Sequence, residues 1–118
     1  MANEKLKSTL NELKDNGFFD NLVIRRGIEK EFFRVDSDGY ISKSSHPDSL
    51  GSALTNKFIT TDFAEAQLEL VTPVFEDIDS LYDFLYSLHV FVGQNIEDDE
   101  MLWPFSMPPK IKNESDIN

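Results

Sequence analysis

Gly27-Ile28-Glu29-Lys30-Glu31-Phe32-Phe33-Arg34-Val35 is the stretch on which the fold turns, and Glu65-Ala66-Gln67-Leu68-Glu69-Leu70-Val71 is its counterpart. Both read as strands. Successive side chains on a strand point to opposite faces. In the first stretch Glu29, Glu31, Phe33 and Val35 therefore share a face, while Lys30 and Arg34 point the other way and do not neutralise the glutamates. In the second, Glu65, Gln67, Glu69 and Val71 lie together, and Ala66, Leu68 and Leu70 turn to a core. Two glutamates two apart on a strand have Cα atoms roughly 6.6 Å apart. At about 6 Å between charges and an effective dielectric near 20, they repel by on the order of 2–3 kcal/mol. A fold tolerates this if the face is solvated, if an arginine arrives from elsewhere, or if a divalent cation sits between them. Should the two strands share a sheet, Glu29, Glu31 and Glu69 converge as three hard oxygen donors, a set that suits Mg²⁺ or Mn²⁺.

Outward from these strands the chain reads as α+β. Leu6, Leu10 and Leu13 recur at helical spacing over about residues 4–15, with Asn3 as a candidate N-cap and Gly17 in the stop signal. Strand character is expected from about Leu22 to Val35, interrupted near Gly27. Asp36-Ser37-Asp38-Gly39 is a turn, with Tyr40-Ile41 returning as a hairpin partner. The run opens like a calcium loop but lacks the further ligands and the terminal glutamate. Residues 42–56, rich in Ser, Gly and Pro, form a long loop of the kind that is often functional. Phe58–Thr61 and Ala66–Thr72 are further strands, the second closed by Pro73. A helix over residues 78–96 follows, its first turn loaded with acid and its apolar stripe made by Leu81, Phe84, Leu85, Leu88, Val92 and Ile96. Three prolines within Trp103–Pro109 exclude a helix there. Strands and two flanking helices appear without an alternating βαβ pattern.

The 118 residues carry 22 acids against 11 Lys and Arg, a net charge of −11. Residues 1–59 balance nine acids with nine bases; residues 60–118 hold thirteen acids and two bases. Such a surface argues against nucleic acid and against anionic membranes as partners. Absence of cysteine excludes disulfide scaffolds, zinc–thiolate sites and cysteine nucleophiles. The N-terminal residues lack the apolar core of a secretory signal, and no window is long and apolar enough for a bilayer, so the expected compartment is the cytoplasm.

Four motifs appear in order: Arg26-Gly27-Ile28-Glu29-Lys30-Glu31; His46-Pro47 with Leu50-Gly51-Ser52-Ala53-Leu54-Thr55; Ile59-Thr60-Thr61-Asp62-Phe63-Ala64-Glu65-Ala66-Gln67-Leu68-Glu69; and Trp103-Pro104-Phe105-Ser106-Met107-Pro108. From about Arg26 to Pro108 the set resembles the N-terminal part of bacterial glutamate–cysteine ligase (γ-glutamylcysteine synthetase) of the proteobacterial type. The resemblance implies a partial glutamine-synthetase-like antiparallel sheet with flanking helices. It also implies an ATP- and Mg²⁺-dependent ligase that joins the glutamate γ-carboxyl to the cysteine amine through γ-glutamyl phosphate, the first step of glutathione synthesis. By the same resemblance Glu29, Glu31 and Glu69 ligate the metal and Phe63 lines the cysteine pocket. Asp62 and Glu65 read either as carboxylates behind such ligands or as ordinary capping or surface residues. Residues 1–25 are then a leading helix and linker, 26–109 the N-terminal part of the catalytic domain, and 110–118 a mid-chain tail. Members of the family run to several hundred residues, so the expectation is an N-terminal fragment, inactive alone, whose partners are small substrates and the remainder of the enzyme.

Other residues carry plainer readings. His89 is expected to be a partly buried structural residue and His46 a turn residue. Arg25, Arg26 and Arg34 suit ion pairs more than substrate binding. Most acids at the two ends of the 78–96 helix are expected at the surface. Two other functions compete: a non-catalytic acidic module that binds a cationic protein through residues 76–100, and another carboxylate–amine ligase of the same superfamily.

Overall fold

The fold is built around β1, and the computed structural model describes residues 2–117. In chain order the elements are α1 (Ala2–Asp15), β1 (Glu29–Asp36), β2 (Ile59–Thr61), β3 (Gln67–Val71), α2 (Ile78–Gly93) and β4 (Glu100–Leu102). The four strands form one open antiparallel sheet in the order β2-β3-β1-β4. One face of β1 and β3 carries Phe32, Leu68 and Leu70, all buried, and α2 closes over it with Val92, Leu85 and Leu88. Leu50 from the long loop and Ile59 from β2 complete this core. The helical stripe expected from spacing thus finds the strand face expected from alternation.

Each end of α2 is set by local chemistry. The Asp77 carboxylate accepts the Ser80 amide at 2.7 Å, a cap that satisfies an orphan donor of the first turn. This bond holds the Asp77 carboxyl below the usual carboxylate range. Phe84 meets Phe58 and Phe75 in ring contacts at 5.3 and 5.7 Å, fastening the helix to the chain before β2 and after β3.

Several boundaries differ from the sequence expectation. α1 already includes Ala2, so Asn3 lies inside it rather than capping it. Gly17 does end it, at φ 68°, where a side chain would be strained. The ladder of β1 begins only at Glu29, because Phe18–Asn21 forms a single 3₁₀ turn and Arg26 meets Phe75 in one isolated bridge. The turn at Asp36–Gly39 is present, its Asp36 carboxylate accepting the amides of Asp38 and Tyr40. The returning segment makes a single bridge, Ile41 to Val35, and Tyr40 then pairs with Lys110. The ladder on that side of β1 belongs to β4, which sequence patterning did not indicate.

The two helices are not equivalent. α2 covers the sheet, whereas α1 has no buried residue and contacts chiefly the 3₁₀ turn after it. Leu6 and Leu10 remain 59% and 46% exposed. The radius of gyration is 20.2 Å, against roughly 13–14 Å for a compact chain of this length, and the long axis reaches 57 Å. α1 therefore projects from the sheet.

Candidate functional site: a carboxylate face on the central strands

Antiparallel pairing of β1 with β3 sets Glu31 directly opposite Glu69, with Glu29 opposite Val71 and Phe33 opposite Gln67. Directly opposed residues share a face, so the three glutamates that alternation had placed outward lie on one surface of adjacent strands. Cβ atoms of such a pair stand about 4.5–5.5 Å apart, and like charges there are unfavourable. Glu29 and Glu31 are exposed and Glu69 is half-buried. The Glu69 carboxyl is pushed up from its ordinary value, first by burial and then by the charges of Glu29, Asp62 and Glu31. This face holds more negative charge than its own protein neighbours balance.

One neutral side chain does engage it. Gln67 Nε2 donates to Glu31 Oε2 at 2.9 Å. Alternation places Gln67 on this face, but its bond to Glu31 was not anticipated; the signal available was its shared parity with Glu69. Beside it, Glu31 and Gln67 line a cavity of about 120 Å³ with Phe105, Ser106 and Met107. Trp103 shapes that loop, its indole N–H donating to the Met107 carbonyl at 2.7 Å and its ring meeting Phe105 edge-on at 5.1 Å.

The other predicted residues divide. Asp62 is exposed and adds to the field at Glu69. Phe63 is 83% exposed, with its ring open to solvent. Glu65 has a different engagement: its carboxylate accepts the His46 amide at 2.8 Å, tying down the long loop. That loop is fastened further by buried Leu50 and by Thr60, which opposes Glu69 on β2 and donates its hydroxyl to the Ala53 carbonyl at 2.7 Å. His46 thus serves a turn, its ring nitrogen Nε2 3.0 Å from the Gly51 carbonyl. His89 stacks on Phe32 at 5.2 Å and stands 3.0 Å from Lys30 Nζ; burial, then the lysine charge, lowers its pKa.

The far end of β1 corrects one expectation. Glu100 is buried, not a surface acid. Its carboxylate receives Arg34 Nη1 at 2.7 Å and the Ser42 hydroxyl, and Arg34 Nη2 donates to the Ser44 carbonyl at 2.8 Å. Side-chain exposure is 0% for Arg34 and 3% for Glu100, so the pair is structural. β4 places Glu100 in register with Asp36 and so brings it beside Arg34. Arg25 likewise pairs with Glu76, at the surface.

Chemically, the carboxylate face is an open half-site. Among the described residues no three His, Asp or Glu side chains are gathered tightly enough to enclose a metal ion. Mg²⁺ does not ask for such a cage: it usually takes one or two carboxylates and fills the remaining positions with water and substrate phosphates. An exposed, all-oxygen, charge-excessive pair fits that demand better than it fits zinc, which favours nitrogen and sulfur. No helix among the described residues is long and apolar enough to cross a membrane.

Comparison with known proteins identifies the family. The sequence model of the glutamate–cysteine ligase family matches residues 10–118. Glutamate–cysteine ligases from Yersinia pseudotuberculosis and Erwinia tasmaniensis are 53% and 51% identical over 94 residues, covering 80% of this chain and 18% of theirs. Among solved structures, the Francisella tularensis glutamate–cysteine ligase in complex with AMP superposes with a TM-score of 0.76 at 44% identity, over 79% of this chain and 18% of that one. A bifunctional glutathione synthetase from Pasteurella multocida gives 0.75 at 36% identity, over 79% and 13%. The chain spans under one fifth of the length of the curated relatives it matches. The match runs through β1, β3 and the loop after β4, and the chain belongs to the glutamate–cysteine ligase family.

Proposed function

We propose that these residues form the metal-carrying strands of a cytoplasmic, ATP-dependent ligase that joins the γ-carboxyl of glutamate to the amine of cysteine through γ-glutamyl phosphate. The observation that carries this reading is the register of Glu31 against Glu69, with Glu29 on the same face. In it, Glu29, Glu31 and Glu69 hold Mg²⁺, with Mn²⁺ as a substitute, and ATP is a substrate. A divalent cation held there supplies neutralisation of the phosphate charge during transfer. The chain's own part is positional: two neighbouring strands, held by the core beneath them, fix the carboxylates before any substrate arrives. Asp62 deepens the negative field, and the exposed ring of Phe63 is available to the cysteine side chain. Glu65 holds the long loop in place beside these strands. The nucleotide contacts and the other ligands come from residues outside these 118, and the cysteine acceptor separates this reading from other carboxylate–amine ligases.

The acidic-module alternative has less support, since Glu100, part of its binding run, is buried against Arg34. Cysteine- and glutamate-dependent ADP release by the complete ligase containing this segment is the test. Turnover that disappears in Glu31→Gln and Glu69→Gln while the circular dichroism spectrum is retained supports the reading. Turnover that survives in both overturns it. The 118 residues alone are expected to release no ADP.

A further inference from the structure

The Glu31–Gln67 contact is a specific one. Only the NH₂ end of a glutamine side chain can face an ionised carboxylate, since its carbonyl would add a second acceptor. Gln67 Nε2 therefore occupies Glu31 Oε2, at 2.9 Å, and Oε1 is left without a hydrogen bond among the described residues. Gln67 is itself half-buried between the strand ladder and the cavity shared with Phe105 and Met107, so its reach is constrained. It sits diagonally across the ladder from Glu31, in register with Phe33. It is also the only residue among Glu29, Glu31, Gln67 and Glu69 that adds a donor without adding charge.

We propose that Gln67 is a positioning residue for the cation site: it pins one oxygen of Glu31 and presents the other, Oε1, to the ion. This deepens the proposed function and rests on the reading of Glu31 as a ligand. An untethered glutamate has free side-chain torsions to freeze on binding, and a hydrogen bond from the outer shell removes that cost beforehand. In this role Gln67 acts through Glu31, the one side chain to which its amide donates.

The test uses the complete ligase containing this segment, and reads both Mn²⁺ binding, from the loss of the free-ion electron paramagnetic resonance signal without substrates, and the Mg²⁺ dependence of turnover. Gln67→Met keeps the length and removes the donor, and Gln67→Leu is a second, strand-compatible version. Both are expected to weaken Mn²⁺ binding by about tenfold. The Mg²⁺ concentration for half-maximal turnover should rise in step, with kcat at saturating Mg²⁺ falling less. A purely structural role would instead lower the melting temperature and kcat and leave Mn²⁺ affinity alone, and that result overturns the proposal. Glu31→Gln separates the two levels. If it abolishes Mn²⁺ binding while both Gln67 variants bind normally, the positioning role is wrong and the ligand reading stands. If Glu31→Gln binds Mn²⁺ normally, the ligand reading fails and takes this inference with it.

Discussion

At one end of β1, Glu31 faces Glu69 across the ladder, carboxylate against carboxylate, in partial contact with water. At the other end, Arg34 meets Glu100 with both side chains shut away from solvent and tied further to Ser42 and Ser44. Only a few residues separate the two arrangements. Where charge is buried the fold supplies its partner, because an uncompensated ion in a low-dielectric interior is expensive. Where charge is left uncompensated it keeps contact with water, and the deficit is open to something from outside the chain. The contrast is what singles out the carboxylate face as the candidate site.

The largest expected effect attacks the open end. In the complete ligase, Glu31→Gln or Glu69→Gln should lower turnover by more than about 10²-fold, since several kcal/mol of phosphate-charge neutralisation is at stake. A steady-state assay at saturating Mg²⁺ checks this, and wild-type rates would erase the distinction between the two ends. The next effect attacks the closed end. Glu100→Ala strands a buried guanidinium and should cost about 3–5 kcal/mol in urea unfolding, with activity per folded molecule retained. Arg34→Met combined with Glu100→Leu should recover most of that loss, because the pair is then replaced by apolar contact; failure to recover would mean that its geometry contributes more than charge balance.

Acidity sharpens the comparison further. The Glu69 pKa is raised in the folded state, so the native protein binds this proton more readily than the unfolded chain does. As pH falls through that raised value toward the ordinary glutamate range, the metal-free protein should gain stability from Glu69, and Glu69→Gln should flatten this part of the profile. Asp77 has the opposite sign. Its lowered pKa contributes stability that is complete above the ordinary aspartate value and is lost as pH falls through the folded one. Melting curves across acid pH would separate the two, and Glu69→Gln leaving the profile unaltered would remove the claim of excess charge. The smallest effect is at the helix start: Asp77→Ala should lower the melting midpoint slightly and Asp77→Asn should retain most of the cap.

Much of the site was legible because it depends on short periods. Alternation alone put Glu29, Glu31, Gln67 and Glu69 on outward faces, and helical spacing named the residues that α2 buries. Adjacency of the strands was not legible that way; the motifs shared with the ligase family implied it, and the β1–β3 register supplies it directly. The buried pair escaped for a physical reason. Glu100 closes the run Glu97-Asp98-Asp99-Glu100, whose composition reads as solvated surface, and its partner lies 66 residues away. Nothing local marks one acid of four as buried; only the three-residue strand β4 decides it. The projection of α1 escaped similarly, since an apolar stripe states that a helix has a face to cover and not whether this chain covers it.

That projection has a consequence for how the molecule breathes. A helix of 14 residues with none of them buried sits near the length at which isolated helices are marginal in water. Its amides should therefore trade hydrogen for deuterium by local fraying, long before those of β1 and β3, which wait for the sheet and α2 to come apart together. The chain carries its slowest clock in the strands that hold the glutamates and its fastest in the helix that precedes them.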